Sequence, residues 1–117
     1  MSETPNTITG IKRELLMRLG HDADIFALIS LCTIEPYVVC DEETFDDEVF
    51  LFLDEEEAKK EAARLAEEKV PVTVAKINGK DMLVFFTGLY ALGVNALVVT
   101  DKGEKASMQV SDIVKRK

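Results

Sequence analysis

Apolar residues recur at helical spacing in two separate parts of the chain. Residues 8–19 carry apolar side chains three or four positions apart, with charged residues mostly on the other side, and Gly20 ends the pattern. Residues 55–68 repeat this spacing with a narrow stripe of mostly small side chains, and Asp54 precedes them. The two patterns predict helices, the second with Asp54 as N-cap and Glu57 completing a capping box.

Runs rich in β-branched and aromatic residues predict the strands. Residues 24–31 are apolar without a clean period, and we interpret them as a strand. Residues 37–40 and 49–53 flank the acidic stretch 41–48 and are expected to pair as a hairpin. Because residues 49–53 show no polar alternation, we expect them in the middle of a sheet, covered on both faces. Further strands are predicted over residues 72–77, 95–100 and 105–110, the last two as a terminal hairpin.

A third helix is predicted over residues 82–92, where apolar residues surround nearly the whole circumference and Gly93 follows as a stop. Such a helix requires burial on more than one side, and the sheet and the first helix are the simpler source of that burial. The alternative is a dimer or partner interface, in which Phe85, Phe86 and Tyr90 would each bury a large area.

Together these elements predict a single α+β domain over residues 1–117. We expect a mixed sheet of about five or six strands with helices mainly on one face, in the order α, β, β, α, β, α, β, β. The succession of strand, helix and strand over residues 49–77 favours a parallel, right-handed βαβ crossover. Residues 1–7 are expected to be disordered, and residues 111–115 to add a last short turn of helix.

Charged residues are unevenly distributed along the chain. The net charge is −8, but residues 1–57 hold 15 acids and 3 bases, whereas residues 58–117 hold 7 acids and 11 bases. The acidic first half would repel nucleic acid and is compatible with a basic protein partner. No apolar run is long enough to span a membrane, and no secretion signal is recognisable, so we expect no membrane association and a cytoplasmic location.

Few residue constellations are suited to catalysis or to binding a cofactor. Cys40 with His21 could form a thiol site, but the carboxylates next to Cys40 would raise its pKa, so a structural role on a strand is the simpler interpretation. The acidic stretch lacks the ligand order and the central glycine of a calcium loop, and a solvated loop is the simpler interpretation. Acids at the start of helix 55–68 would repel a phosphate. We therefore expect neither a metal nor another cofactor.

The chain resembles a known family in two segments. The strand followed by an acidic helix start, Val49-Phe50-Leu51-Phe52-Leu53-Asp54-Glu55-Glu56-Glu57-Ala58, is similar to a motif of the bacterial SseB-like family, named for an enhancer of serine sensitivity. Residues 92–99, with residues 110–113 behind them, resemble that family's closing segment, so the resemblance covers residues 37–113. It implies a bacterial cytoplasmic α+β domain with no established activity, and it brings no site residues.

These observations favour a non-enzymatic protein-binding or accessory module. The candidate partner surface combines acids with aromatic residues of the third helix: Asp41, Glu42, Glu43, Asp46, Asp47, Phe85, Phe86 and Tyr90. A basic partner surface would match the acids. A thiol enzyme using Cys40 and His21, and a self-associating subunit, are the alternative hypotheses.

Overall fold

A computed structural model of the chain describes residues 3–114, with side chains from residue 10 onward. Its elements, in chain order, are α1 (Glu3–Arg18), β1 (Asp24–Ser30), β2 (Glu35–Pro36), β3 (Val38–Cys40), β4 (Asp47–Phe52), α2 (Glu55–Glu67), β5 (Val72–Asn78), α3 (Gly79–Ala91), β6 (Ala96–Asp101), β7 (Glu104–Gln109) and α4 (Ser111–Val114). The predicted α+β class with a mixed sheet is confirmed.

The strands form one mixed sheet with β4 at its centre. On one side β4 pairs antiparallel with β1, whose other edge pairs with β5 along its whole length. On the other side β4 pairs parallel with β6, and the β6–β7 hairpin completes the sheet. The unbroken apolar run of β4 agrees with this position, because Val49, Leu51 and Phe52 are buried and Phe50 is half-buried.

The sheet forks between β1 and β4. These strands are joined only at Phe26–Phe52 and Ala27–Leu51, and they separate beyond that point. Two short strands lie in the gap: β2 pairs antiparallel with the end of β1, and β3 pairs antiparallel with the start of β4. Tyr37 lies at the vertex, where its N–H donates to the Leu28 carbonyl at 2.9 Å. The short β2, beside the six strands predicted individually, gives the seventh strand of the sheet.

Helices cover the two faces of the sheet unequally. Three helices, α1, α3 and α4, lie on one face, where Leu15, Phe86 and Ile113 meet inward residues of the central strands in the larger core. Only α2 lies on the other face, where Ala58 and Leu65 pack on Phe26, Leu28 and Phe52. Helices are therefore mainly on one face, as predicted. None of the helices within residues 3–114 combines the length and apolar character needed to cross a membrane.

The predicted crossover from β4 through α2 to β5 is present with one difference. Both strands run antiparallel to β1, so they are parallel to each other, but β1 lies between them. β1 lies between them because it pairs antiparallel with β4 on one edge and with β5 on the other. Direct parallel pairing occurs instead between β4 and β6.

Two element starts differ from the prediction. Helix α1 begins at Glu3, so residues 3–7 are helical rather than disordered, while residues 1–2 lie outside the described residues. Helix α3 begins at Gly79, because the Asn78 side chain accepts from the Lys80 N–H at 3.0 Å and acts as an N-cap instead of forming a turn with Gly79.

The predicted capping box is half correct. The Asp54 carboxylate accepts from the Glu57 N–H at 3.2 Å, which confirms Asp54 as the N-cap of α2. The Glu57 carboxylate does not reach back to Asp54. It accepts instead from the N–H groups of Lys102 and Gly103, at 3.1 and 3.0 Å, in the turn between β6 and β7. Glu57 therefore ties the terminal hairpin to α2.

Candidate functional site

The acidic segment, residues 41–48, lies at one end of the sheet, which we call the loop end. It joins β3 to β4, and its last two residues, Asp47 and Glu48, begin β4. The antiparallel and parallel pairings place the end of β1, the start of β6 and the end of β7 at the same level. The predicted acids Asp41, Glu42, Glu43, Asp46 and Asp47 are therefore held together by the fold.

Hydrogen bonds within the acidic segment hold it in one shape. The Asp41 carboxylate accepts from the N–H groups of Glu43 and Thr44, at 2.7 and 3.3 Å. The main chain closes over the same turn, since Phe45 N–H donates to the Asp41 carbonyl at 2.7 Å. Such side-chain-to-backbone bonds are typical of turns that begin with aspartate. The segment is thus an ordered turn rather than an extended charged linker.

Asn95 fastens this turn to the rest of the molecule. Its side-chain oxygen accepts from the Asp47 N–H at 2.7 Å, and its side-chain nitrogen donates to the Asp46 carboxylate at 2.8 Å. Its own N–H donates to the Asp47 carbonyl at 3.2 Å. Sequence reasoning missed this role, because Asn95 is 48 residues away from Asp47. The only signal in the sequence was an asparagine at the start of the predicted strand, residues 95–100.

Phe45 projects from the ordered turn into solvent. Its side chain is 78% exposed, and its backbone has a positive φ of 61°. Ile34, in the turn between β1 and β2 at the same end of the sheet, is 73% exposed with a φ of 57°. Bulky residues rarely adopt this left-handed conformation, and such outliers cluster at functional sites. Phe45 is therefore an exposed apolar side chain on the acidic turn, Ile34 is another at the same end of the sheet, and the sequence patterns did not identify either of them.

The carboxylates of the acidic segment crowd one another. Partial burial is the main cause that raises the pKa of Glu48, and the negative charges of Asp41 and Asp46 raise it further, against a smaller lowering by Lys105. Within residues 10–114, no carboxylate of the segment has a lysine, arginine or histidine nitrogen within ion-pair distance. The negative field at the loop end is therefore largely uncompensated.

The structure separates Cys40 from His21. Cys40 pairs with Asp47 at the start of β4, whereas His21 precedes β1, whose residue Phe26 pairs with Phe52 at the end of β4. The stretch of β4 between these levels spans roughly 17 Å at about 3.3 Å per residue. Desolvation, followed by Asp47 and Asp41, also raises the pKa of the Cys40 thiol. The structure therefore does not bring Cys40 and His21 together in one site.

The helix residues of the predicted surface divide between core and solvent. Phe86 is 0% exposed and belongs to the larger core, so its placement on a partner surface is corrected. Phe85 is partly buried against the same core, with its ring centroid 5.8 Å from that of Phe86. Tyr90 is 52% exposed, as predicted for a surface residue. The helical period explains the split, because Met82, Phe86 and Leu89 share the inward face while Val84 faces outward.

A groove between α2 and the sheet was not anticipated from the sequence. It has a volume of about 560 Å³ and lies where α2 leaves part of its sheet face uncovered. Aromatic and aliphatic side chains form its floor: Tyr37, Val39, Phe50, Phe52 and Leu65. The size lies within the range of small-molecule sites. Phe50, which the sequence pattern placed in the middle of a covered sheet, is thus partly open to solvent.

Comparison with known proteins leaves the chain without an assigned relative. The sequence matches no protein-family model, and no curated protein matches it significantly. Among the residues that the structure describes, no group of three or more His, Cys, Asp or Glu side chains is placed to hold a metal ion.

Proposed function

We propose that this chain is a non-enzymatic module that binds a basic protein partner through the loop end of its sheet. The observation that carries the proposal is the ordered acidic turn that displays Phe45, 78% exposed, among carboxylates that make no ion pair within residues 10–114. An aromatic side chain can fill a pocket on the partner, and the surrounding acids can attract and orient basic residues. The hydrogen bonds of Asp41 and Asn95 reduce the ordering cost of association.

The sign of the charge supports a basic partner. The acids of the segment receive no ion pair from residues 10–114, so cationic side chains of a partner could supply the missing partners. Nucleic acid would be repelled by the same field. The exposed apolar side chains of Phe45 and Ile34 favour a protein over a lone cation, because hydrophobic contact adds nothing to ion binding.

Three related statements belong to the proposal. A non-enzymatic role is supported by the separation of Cys40 from His21. A cytoplasmic location is supported by the two free, exposed thiols of Cys32 and Cys40, which persist most readily in a reducing compartment. Membership of the bacterial SseB-like family is supported by the passage from β4 into the acid-capped α2.

The test compares capture of partners from native lysate by wild-type and variant protein. Phe45→Ala removes the apolar side chain, and the pair Glu42→Gln and Glu43→Gln removes two charges whose carboxylates make no ion pair with the side chains of residues 10–114. The control pair Glu67→Gln and Glu104→Gln changes net charge equally at exposed sites outside the loop end. We expect a partner held by wild type and by the control, lost from both loop variants, and released at about 0.5 M salt.

The same experiment includes the competing surface on α3. Val84 is 76% exposed on the outer face of that helix, so Val84→Ser changes this face without disturbing the core. Loss of capture with Val84→Ser, together with retention by Phe45→Ala, would contradict the proposal and assign partner binding to α3. The alternative hypothesis of a self-associating subunit, joined through the exposed apolar residues of that face, stays a prediction.

A further inference from the structure

The charges around the groove between α2 and the sheet are not all compensated. Arg64, on the groove wall, is held by Glu61 and Glu68 through side-chain hydrogen bonds. Glu57 has both carboxylate oxygens occupied by backbone N–H groups of the β6–β7 turn. Lys60 and Lys105 also line the groove, and neither has a carboxylate within 4.0 Å among the side chains of residues 10–114. Lys60 and Lys105 are therefore cations without a direct ion pair within residues 10–114, although Lys105 is near enough to Glu48 to lower the pKa of that carboxyl.

The two cations lie near the same end of the groove. Lys60 follows Glu57 by one turn of α2, and Lys105 pairs with Thr100 next to the β6–β7 turn. The hydrogen bonds from Lys102 and Gly103 to Glu57 join α2 to that turn and close this end. From there the groove follows α2 for roughly 16 Å, at about 1.5 Å per residue, toward Glu68 and Tyr37.

The floor of the groove has the opposite character. Phe52 lies beside Thr100 in the row of residues that ends at Lys105, and Phe50 lies two residues farther from the closed end. Val39 and Tyr37 continue the apolar floor toward the open end. A ligand would thus meet Lys60, Lys105 and the hydrogen-bonded carboxylate of Glu57 near the closed end, followed by an apolar channel. A peptide strand running through the groove would be blocked by the pinned turn.

From this arrangement we propose that the groove binds a small amphipathic carboxylate, with its head group between Lys60 and Lys105 and its apolar chain directed toward Tyr37. Unpaired ammonium groups provide the attraction for the carboxylate, and the aromatic floor provides the apolar contact. The volume of about 560 Å³ suits a ligand of this size. This site does not depend on the proposed protein-binding surface, although its open end lies next to it, because Val39 in the groove pairs with Glu48.

The proposal is tested by titrating the full chain with sodium decanoate below its micellar concentration, with decyltrimethylammonium as the cationic counterpart. Calorimetry gives the affinity, and amide chemical shifts locate the site. We expect decanoate to bind with shifts at Tyr37, Phe50 and Thr100, and the ammonium compound to bind at least about tenfold more weakly.

Variants separate the groove from general charge effects. Lys60→Met and Lys105→Met should each raise the Kd for decanoate by about tenfold, whereas Lys60→Arg should retain most of the affinity. Lys59→Met is the matched control, because Lys59 is exposed on the same helix, pairs with Glu55 and does not line the groove. Equal binding by wild type, Lys60→Met and Lys105→Met, absence of decanoate binding, or equal binding of the cationic amphiphile would each overturn the proposal.

Discussion

Burial and the crowding of negative charge at the loop end change the pKa of Glu48. Burial and the neighbouring Asp41 and Asp46 raise its pKa above the ordinary 4.5 in the folded protein. The folded state therefore holds its proton more tightly than the unfolded chain does. As pH rises from about the ordinary value through the raised folded pKa, Glu48 loses that proton and the stability linked to it is lost.

Glu48→Gln removes this titration without changing side-chain size. We expect the variant to be more stable than wild type at pH 7 by about 0.5 kcal/mol, because like-charge repulsion is relieved. The advantage should shrink as pH falls toward 4.5, where wild-type Glu48 is increasingly protonated. Urea unfolding at several pH values measures both effects, with Glu67→Gln as an exposed control. A variant that is less stable than wild type at neutral pH would show that Glu48 is favourably paired.

Single residues also mark the limit of what the sequence could predict. The acids of the loop end and the N-cap role of Asp54 were predicted correctly, because both depend on local sequence. The contact of Asn95 with Asp47 and the bonds from Glu57 to the β6–β7 turn were not predicted, because both join distant parts of the chain. Phe86 was misplaced on a surface since an apolar helix pattern does not reveal which side faces the sheet.

At the scale of elements, two glycines in α3 have opposite structural roles. A Cβ atom on Gly79 would lie 1.9 Å from the Arg18 carbonyl oxygen and 2.4 Å from that of His21, so the end of α1 fits closely over the start of α3. Gly88 lies farther along the same helix, where an added Cβ atom would have no neighbouring atom within 4 Å. Gly79 is thus required by packing, whereas Gly88 is not.

Alanine substitutions should therefore change stability in opposite directions. Gly79→Ala should destabilise the protein by about 3 kcal/mol, because backbone atoms of two elements must move apart. Gly88→Ala should stabilise it by about 0.5 to 1 kcal/mol, because alanine has the higher helix propensity. Thermal or urea unfolding measures both variants. Similar effects from the two substitutions would show that α1 and α3 do not meet as described.

The elements themselves were largely predictable. Helix α2 and the strands β5, β6 and β7 agree with their predicted ranges within one or two residues, because their caps, turns and periodicity agree. The fork between β1 and β4 was not predictable, since it depends on where two strands stop pairing. A proline at the end of β2 lacks the N–H needed to continue a ladder, which is consistent with the break before Tyr37.

In the molecule as a whole, both proposed sites lie where helices cover the sheet least. Three helices cover one face of the sheet, while a single helix leaves a groove on the other, and the loop end projects acids and Phe45 into solvent. The smaller core under α2 forms the floor of the groove. The sequence predicted the class and mixed sheet, but it could not predict the groove, because an uncovered sheet face depends on how the helices distribute.

Backbone ¹⁵N relaxation of the free protein tests most directly whether the acidic turn is a preformed recognition surface. The amides of Glu43, Thr44 and Phe45 should have order parameters of about 0.85, like those of the strands, because side-chain and main-chain bonds hold the turn. Asn95→Ala should lower them, since it removes the contacts to Asp46 and Asp47. Order parameters below about 0.6 in the wild-type turn would contradict the account.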